Sequence, residues 1–349
     1  MLLLCYGTRP ELIKLFPLMN EFKKQSIHFK TLFTGQHKHL IKDYEDLVEP
    51  PSYTFDIFKA GQSLDEIYSK ILVQCHKLFS NENTPSIKCV IVQGDTTSGT
   101  AIAHSAFHHK IPVAHIEAGL RTGRKYSPFP EEINRSIISR LATFHFAPTK
   151  EAYSNLIKEN INKESIFLVG NTIADAVTHF QLPEKTYRNY ILITLHRREN
   201  WGIKMTKMLT EINQCAENYP KTEFKFIYHP NSKELITEIL KSENISILPP
   251  QNYKTFIHLI AECRFLITDS GGIQEEAMCL GKILMICRDT TERPEVISNH
   301  YGKLVKTDIL DNFEWFYDNY QSQHKNKSSI YGSNVSRKIV SILQEHLSK

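Results

Sequence analysis

Short apolar runs alternate with amphipathic segments along almost the whole chain. The first series of apolar runs lies near residues 2–6, 29–33, 88–93, 111–116, 143–147 and 165–169. A second series lies near residues 190–195, 224–228, 245–248, 264–268, 283–287 and 303–305. Segments such as 10–24 and 202–218 carry apolar residues at helical spacing. Strands that alternate with helices predict parallel sheets covered by helices on both faces.

A polar segment at 181–189 separates the two series and, with Pro183, is typical of a linker. We therefore predict an α/β protein of two doubly wound, Rossmann-like domains that face a cleft. The first domain is expected at residues 1–170 and the second at 171–333, and the total length of 349 residues suits two domains. A last helical pattern, near 334–349, is expected to pack back on the first domain.

The composition argues against several classes of protein. A net charge of +4 is too small to indicate nucleic acid or an anionic membrane as a partner. No apolar run approaches the roughly 18 residues that span a bilayer, and the opening run lacks the basic flank of a signal peptide. The seven cysteines are scattered without a C-x-x-C pair, which favours a reducing compartment and argues against a zinc site. We expect a cytoplasmic protein without a metal.

Charged or hydrogen-bonding residues follow five of the predicted strands. Ligands of open parallel sheets bind beyond the carboxyl ends of the strands, so these positions are candidates for a site. They are residues 7–11, 94–97, 117–121, 196–199 and 269–272. Any one set fits an ordinary polar loop, but five convergent sets favour a site with chemistry.

The first of these sets combines a helix start with positive charge. Thr8, Pro10 and Glu11 fit the capping pattern of a helix N-terminus. That pattern does not account for Arg9 and Lys14, which place positive charge where an anion binds favourably.

The last set suggests a nucleotide. The turn Ser270-Gly271-Gly272 would expose backbone amides to a phosphate, and Glu276 one turn later would accept hydrogen bonds from both hydroxyls of a ribose. A Gly-Gly turn alone is weak evidence. Together with Glu276 it favours a nucleoside diphosphate.

Three carboxylates form a candidate acid/base set whose spacing does not suit a metal: Asp95, Glu117 and Glu131. Glu131 and Glu132 open a predicted helix. Stabilisation of the helix dipole and an ion pair from Glu131 to Arg135 therefore explain Glu131 as well as catalysis does. Among the 16 histidines, His196 and His229 differ from the rest because each ends a predicted strand.

Several segments match the motifs of one known family: residues 7–11, 94–97, 115–123, 127–135, 170–172, 196–199, 268–276 and 288–295. The match runs collinearly from residue 2 to about residue 340. The chain resembles the bacterial non-hydrolysing UDP-N-acetylglucosamine 2-epimerase family.

The resemblance implies a fold like that of the GT-B nucleotide-sugar glycosyltransferases and glycogen phosphorylase, and a homodimer. It implies reversible epimerisation at C2 between UDP-N-acetylglucosamine and UDP-N-acetylmannosamine, without a cofactor, in which UDP leaves to give a 2-acetamidoglucal and then returns. The product would supply a surface polysaccharide or cell-wall pathway. Substrate contacts are implied for Arg9, Lys14, Asp95, Glu117, His196, Gln251, Phe256, Ser270, Gly271, Gly272, Glu276 and Arg293.

Within that set the resemblance implies distinct roles. Gln251 and Phe256 would lie at the uridine and Glu276 at the ribose, while the Ser-Gly-Gly turn and Arg293 would hold the diphosphate. Asp95, Glu117 and Glu131 would serve the two faces of C2 as a group, and His196 would contact the diphosphate or the glycosidic oxygen.

Sequence details separate this branch from its relatives. Relatives that act on diacetamido uronic acids show Gly-Ala-Arg-Pro-Gln at the first motif, whereas this chain has Thr8 and Glu11. Hydrolysing relatives usually have a serine-rich turn in place of Gly-Gly.

The alternative functions for this chain are a GT-B glycosyltransferase, a hydrolysing epimerase and an inactive nucleotide-sugar-binding regulator. His300 stands where many members have glycine, which leaves the conformation of that loop open.

Some members of the family bind a second UDP-N-acetylglucosamine as an activator. Gln36, Arg197 and His229 match that effector site, but His39 and Gly61 stand where the fullest contact sets have glutamine and arginine. The loss of an arginine removes a bidentate partner for a diphosphate. The sequence therefore predicts weak or absent activation.

Overall fold

The computed structural model describes residues 1–35, 47–59, 61–180, 182, 188–197, 200–229, 232–321 and 329–347. The chain forms two compact units, one of Met1–His179 with Ile330–Lys349 and one of Phe180–Ser329.

The first unit is built on a seven-stranded parallel sheet. Its strands are β1 (Leu2–Tyr6), β2 (Phe29–Phe33), β3 (Tyr53–Thr54), β4 (Cys89–Gln93), β5 (Val113–Ile116), β6 (Phe144–Ala147) and β7 (Ile166–Leu168). They lie in the order β3-β2-β1-β4-β5-β6-β7. The helices are α1 (Arg9–Lys24), α2 (Leu64–Phe79), α3 (Thr97–His108), α4 (Glu131–Leu141), α5 (Lys150–Lys158) and α6 (Ile173–Thr178).

The second unit has a six-stranded parallel sheet. Its strands are β8 (Tyr190–Thr194), β9 (Glu223–Ile227), β10 (Ile245–Leu248), β11 (Leu266–Thr268), β12 (Leu284–Ile286) and β13 (Gly302–Leu304), in the order β10-β9-β8-β11-β12-β13. The helices are α7 (Ile203–Asn218), α8 (Lys233–Ile239), α9 (Tyr253–Glu262), α10 (Gly271–Cys279), α11 (Pro294–Ser298) and α12 (Leu310–Asn319).

The last helix, α13 (Val335–Leu347), belongs to the first unit, where it packs against α1 and α6. The carboxylate of Asp175 in α6 accepts the backbone N–H groups of Val335 and Ser336 at 3.3 and 2.7 Å and so caps the start of α13. Because α6 also packs against α1, the first unit extends to His179, past the expected domain end at residue 170 and up to the predicted linker at 181–189.

Burial explains why the strands appear as unbroken apolar runs. In β1, Leu3 and Leu4 are fully buried, and Leu4 pairs with Thr31 of β2 and Ile91 of β4. A central strand covered on both faces has no solvent side, so it shows no polar alternation. Each predicted run overlaps a strand, and β3 was missed because it is only two residues long. No described helix is long and apolar enough to cross a membrane.

In each sheet the strand order reverses between two neighbours, β1 and β4 in the first and β8 and β11 in the second. Ligands of open α/β sheets bind at such switch points. The residues that follow these four strands are Gly7-Thr8, Gly94-Asp95, Leu195-His196 and Asp269-Ser270.

The loop before β13 has a left-handed backbone at His300, with a φ of 61°. Glycine would adopt this conformation without strain.

All seven cysteines are free thiols, and six of them are buried. Burial raises the pKa of Cys215 and Cys263 to about 12. These thiols act as small apolar core residues.

Candidate active site

Glu11 joins the two loops at the switch point of the first sheet. Its Oε2 accepts the N–H of Gly7 at 2.9 Å and the N–H and hydroxyl of Thr8 at 2.8 Å each. Its Oε1 accepts the hydroxyl of Thr96 at 2.7 Å. Burial raises the pKa of Glu11, and these hydrogen bonds oppose the rise. Glu11 therefore caps α1, as the sequence pattern predicts, and also anchors the loop after β4.

Lys14 of α1 and Glu117, which follows β5, form a buried ion pair in which each side chain is 5% exposed. The amide of Asn171 donates to the same carboxylate at 3.5 Å. Glu117 has a φ of 68°, a conformation that costs a non-glycine residue about 1–3 kcal/mol. Such strain persists where the surroundings hold it and clusters at functional sites, which favours a role for Glu117 beyond packing.

Asp95 follows β4 and is held by residues of α4. Arg135 donates to its Oδ2 from Nε at 2.8 Å and lies 2.6 Å from the same oxygen through Nη2. The amide of Asn134 donates to the backbone carbonyl of Asp95 at 2.9 Å. Arg135 also pairs with Glu132 at 2.9 Å. Sequence reasoning considered only Glu131 as the partner of Arg135 and missed both of these carboxylates.

Glu131 is the first residue of α4 and is half-buried. A carboxylate at a helix N-terminus interacts favourably with the helix dipole, so the position agrees with a structural role and with a catalytic one.

His115 lies fully buried in β5, shortly before Glu117. Its Nε2 lies 2.7 Å from the carbonyl oxygen of Gly94, to which it donates. Burial lowers the pKa of His115 to about 3. The imidazole is therefore neutral at any pH near 7 and serves to fix Gly94, the residue before Asp95.

At the switch point of the second sheet, the fully buried Asp269 organises the loop after β8. It accepts the N–H of His196 at 3.1 Å, the N–H of Arg197 at 2.9 Å and the amide of Asn200 at 2.9 Å. Its Oδ1 lies 3.4 Å from Nδ1 of His196, whose side chain is 41% exposed. Asp269 thus sets the direction of His196, a role that the sequence did not reveal.

The two glycines of the Ser-Gly-Gly turn differ. Helix α10 begins at Gly271, with Ser270 as the N-cap. A β-carbon on Gly271 would lie 2.7 Å from Nη1 of Arg293 and 2.7 Å from Oε1 of Glu292. A β-carbon on Gly272 would meet no atom within 4 Å. The fold therefore requires glycine at 271, whereas glycine at 272 leaves open space at the helix start.

Beside this turn lies a buried cluster of arginines and carboxylates. Arg293 donates to Glu275 at 2.7 Å and to Glu292 at 2.5 Å. Glu292 also accepts from Arg288 at 2.7 Å and lies 3.9 Å from Arg197. Three guanidinium groups thus gather around Glu275 and Glu292 next to a helix N-terminus, where an anion binds favourably.

The remaining candidates of the second unit lie on α9, on α10 and in the loops that follow β9 and β10. Glu276 is buried on α10 and Phe256 is buried on α9. The amide of Gln251 donates to the carbonyl of Pro249 at 2.6 Å, just before α9. The exposed ring of His229 is inclined by 24° to that of His196, with centroids 6.5 Å apart.

Arg9 and Gln36 are the last two candidates from the sequence. Arg9 is half-buried as the first residue of α1, at the switch point of the first sheet. Gln36 lies outside the described residues.

Within the part of the chain that the structure describes, no group of three or more His, Cys, Asp and Glu residues is arranged to hold a metal ion.

The sequence matches one family of known proteins over most of its length. The family model for UDP-N-acetylglucosamine 2-epimerase matches residues 20–344. The UDP-N-acetylglucosamine 2-epimerase of Neisseria meningitidis is 37% identical, with 96% of both chains covered, and that of Bacillus subtilis is 40% identical, with 87% of this chain and 82% of its own covered.

Solved structures agree over the full length. The crystal structure of the Neisseria meningitidis UDP-GlcNAc 2-epimerase bound to UDP-GlcNAc is similar at a TM-score of 0.89 and 35% identity, with 99% of both chains covered. The Methanocaldococcus jannaschii UDP-GlcNAc 2-epimerase, in complex with UDP-GlcNAc and UDP, has a TM-score of 0.86 at 32% identity and the same coverage. The chain therefore belongs to the UDP-N-acetylglucosamine 2-epimerase family.

Proposed function

We propose that this protein interconverts UDP-N-acetylglucosamine and UDP-N-acetylmannosamine by eliminating UDP and adding it back. The observation that carries the proposal is the division of chemistry between two switch points. The first has the carboxylate of Asp95, with Glu117 one strand further along the sheet. The second has a glycine-rich helix start beside a buried arginine cluster.

The chemistry of the sugar explains why such a set is needed. The hydrogen on C2 is not adjacent to a carbonyl, so its direct removal at neutral pH is very difficult. When the C1–O bond breaks and UDP leaves with the electron pair, C1 gains positive character and a carboxylate can accept the C2 proton. The products are UDP and a glycal. Return of a proton to the opposite face of C2, with re-formation of the C1–O bond, gives the epimer.

In this proposal the first unit supplies the acid/base groups. Asp95, Glu117 and Glu131 act as a group on the two faces of C2, since proton transfer by a positioned carboxylate contributes about 10²–10⁴-fold to a rate. Lys14 pairs with Glu117 and places a cation near the start of α1, where Arg9 also lies. These cations stabilise the departing diphosphate.

The second unit supplies the nucleotide contacts. Backbone amides at the Ser270-Gly271-Gly272 turn and the charge of Arg293 hold the diphosphate. Glu276 accepts the ribose hydroxyls, and Gln251 and Phe256 contact the uracil. His196, held by Asp269, contacts the diphosphate or the glycosidic oxygen.

Incubation of the purified protein with UDP-N-acetylglucosamine in deuterium oxide, without an acceptor and with a chelator, tests this function. We expect UDP-N-acetylmannosamine that carries one deuterium at C2, at a rate the chelator does not change. Release of free UDP with N-acetylmannosamine would identify a hydrolysing enzyme. Absence of any C2 exchange, with nucleotide sugar still bound, would support a glycosyltransferase or an inactive binding protein.

Replacement of Glu276 by alanine tests the ribose assignment. The buried ribose hydroxyls would lose a charged acceptor, and hydrogen bonds to charged groups are worth about 1.5–3 kcal/mol. We expect affinity for UDP, measured by calorimetry, to fall at least tenfold. Affinity for pyrophosphate, which has no ribose, should not change. Equal loss for both ligands, or no loss for UDP, would remove the assignment.

A homodimer is also proposed, and an exposed apolar patch on the first unit supports it. Tyr126 and Phe129 precede α4 and are 72% and 61% exposed, and Ile133 and Ile137, one turn apart on α4, are 38% and 37% exposed. Exposed patches of this kind mark association surfaces. Sedimentation equilibrium should give about twice the chain mass of 40.4 kDa. Ile137→Lys should shift the equilibrium towards the monomer, whereas Ile203→Lys, at a residue 90% exposed on the second unit, should not.

Activation by the gluco substrate is expected to be weak or absent. Gly61, which stands in place of the arginine, has a φ of 80°, a conformation that arginine adopts only with strain. Coupling between sites is usually about 1–3 kcal/mol, so the loss of one charged contact removes much of it. Initial rates with the manno substrate should be nearly hyperbolic, with or without traces of the gluco form. A strict requirement for the gluco form would contradict this expectation.

A further inference from the structure

We propose that Arg135 is a positioning residue that reserves one carboxylate oxygen of Asp95, Oδ1, for proton transfer at C2. The proposal rests on the function proposed above and adds two residues to it, Arg135 and its partner Glu132. Neither is among the residues that the sequence assigned to the site.

The geometry at Asp95 is unusual for an arginine and a carboxylate. A guanidinium commonly places two parallel N–H groups on the two oxygens of a carboxylate. Here Nε and Nη2 of Arg135 both lie on Oδ2, at 2.8 and 2.6 Å. No described residue donates a hydrogen bond to Oδ1, and the Asp95 side chain is 23% exposed. The oxygen that remains available to a substrate is therefore Oδ1.

Glu132 fixes the third nitrogen of the Arg135 guanidinium, Nη1. Its Nη1 donates to Glu132 at 2.9 Å, and only 4% of the Arg135 side chain is exposed. The carboxylate of Glu132 accepts the backbone N–H of Thr122 at 3.0 Å and of Gly123 at 2.8 Å. Glu132 thus ties the loop after β5 to α4 and leaves Arg135 little freedom to turn.

Helix α4 holds the backbone of Asp95 as well. Asn134 donates to the Asp95 carbonyl at 2.9 Å, so α4 fixes both the main chain and the side chain of this residue. Glu131 is the first residue of the same helix. One helix therefore carries Glu131 and holds Asp95 in place, and a precise site requires rigid support of this kind.

A positioning role has a specific kinetic consequence. A base must lie within about 2.6–3.2 Å of the proton it removes, and a misplacement of 1 Å costs about 100-fold in rate. Arg135 acts on Asp95 and not on the nucleotide. Its loss should therefore lower kcat and leave KM and UDP affinity nearly unchanged.

The test is Arg135→Ala with chemical rescue. We expect kcat to fall about 100-fold, C2 deuterium exchange to fall in parallel, and KM and the Kd for UDP to stay within about twofold. Added guanidinium ion should fill the vacated space and restore kcat at least about tenfold. In the double variant Arg135→Ala with Asp95→Asn, guanidinium should restore nothing. Arg135→Lys should be intermediate, because lysine keeps the charge but not the fork.

Arg188→Ala is the control. Arg188 lies outside the candidate site and pairs with Glu262 at 2.9 Å. Its variant should keep kcat within about threefold once matched for folded fraction, with no response to guanidinium.

The proposal is overturned if folded Arg135→Ala keeps kcat within about threefold, or loses it without rescue by guanidinium. Where Arg135→Ala does not fold, Glu132→Gln decides: an approximately tenfold loss of kcat at unchanged UDP affinity supports the proposal, and an unchanged kcat overturns it. Absence of C2 exchange in the wild-type protein would instead defeat the proposed function itself.

Discussion

Asp95→Asn, Glu117→Gln and Glu131→Gln should each lower kcat by about 10²–10⁴-fold while affinity for UDP stays within about threefold, because each removes an acid or base and none removes a nucleotide contact. Asp95 and Glu117 lie at the carboxyl ends of β4 and β5, and Glu131 begins α4, all in the first unit. The proposed UDP contacts apart from Arg9 and Lys14 lie in the second unit. Steady-state kinetics and calorimetry with UDP separate the two effects.

Glu117→Gln needs a stability control. The change weakens a buried ion pair with Lys14, and breaking such a pair typically costs about 3–5 kcal/mol. Thermal unfolding should therefore be measured with each rate. Glu159→Gln is the matched variant, since Glu159 pairs with Arg121 in the same unit but lies outside the acid/base set. Near-normal turnover in all three site variants would show that the set is wrong.

Replacement of the two glycines of the α10 turn by alanine should separate stability from binding: Gly271→Ala should lower stability, and Gly272→Ala should lower affinity for UDP. Gly271→Ala would drive a methyl group to 2.7 Å from Arg293 and from Glu292, so the buried ion-pair cluster must move. We expect a loss of stability of about 1–3 kcal/mol, as for other overpacked sites. Gly272→Ala meets no neighbour within 4 Å, and alanine is favoured over glycine in a helix, so stability should hold or rise.

For UDP binding, the larger effect is expected from Gly272→Ala. If the diphosphate approaches the helix start at Gly272, a methyl group there occupies its space, and affinity for UDP should fall at least about tenfold in a fully folded protein. Chemical denaturation and calorimetry on the two variants measure both quantities. Unchanged UDP affinity in Gly272→Ala would remove the backbone of this turn from the diphosphate site.

The fold was largely predictable because fully buried parallel strands have a strong signal. Runs such as 190–195 and 283–287 contain strands, and their alternation with helices fixes the α/β class. β3 carries no such signal, since Tyr53 and Thr54 form a two-residue edge strand. The assignment of α6 to the first unit also escaped the sequence, because it depends on packing against α1 and α13 and not on local composition.

The places of the candidate residues at strand ends were predictable, and the residues that support them were not. Position after a strand singled out Asp95, Glu117 and His196 as candidates, because parallel strands end at the same edge of a sheet. The contacts of Arg135 with Asp95 and Glu132 were not predictable. Helical spacing offers Glu131 and Glu132 alike, and the contact with Asp95 spans 40 residues of sequence. Likewise, the distinct roles of Gly271 and Gly272 depend on where Arg293 packs, which one sequence does not reveal.

Departure of UDP from C1 is the central claim, and positional isotope exchange tests it most directly. UDP-N-acetylglucosamine labelled with ¹⁸O in the oxygen that bridges C1 and the β-phosphorus is incubated with the protein and followed by ³¹P NMR. Once the C1–O bond breaks, rotation of the β-phosphate makes its terminal oxygens equivalent, so the label should move from the bridging to the non-bridging positions during epimerisation. Epimerised product that keeps all of the label in the bridge would contradict elimination and re-addition.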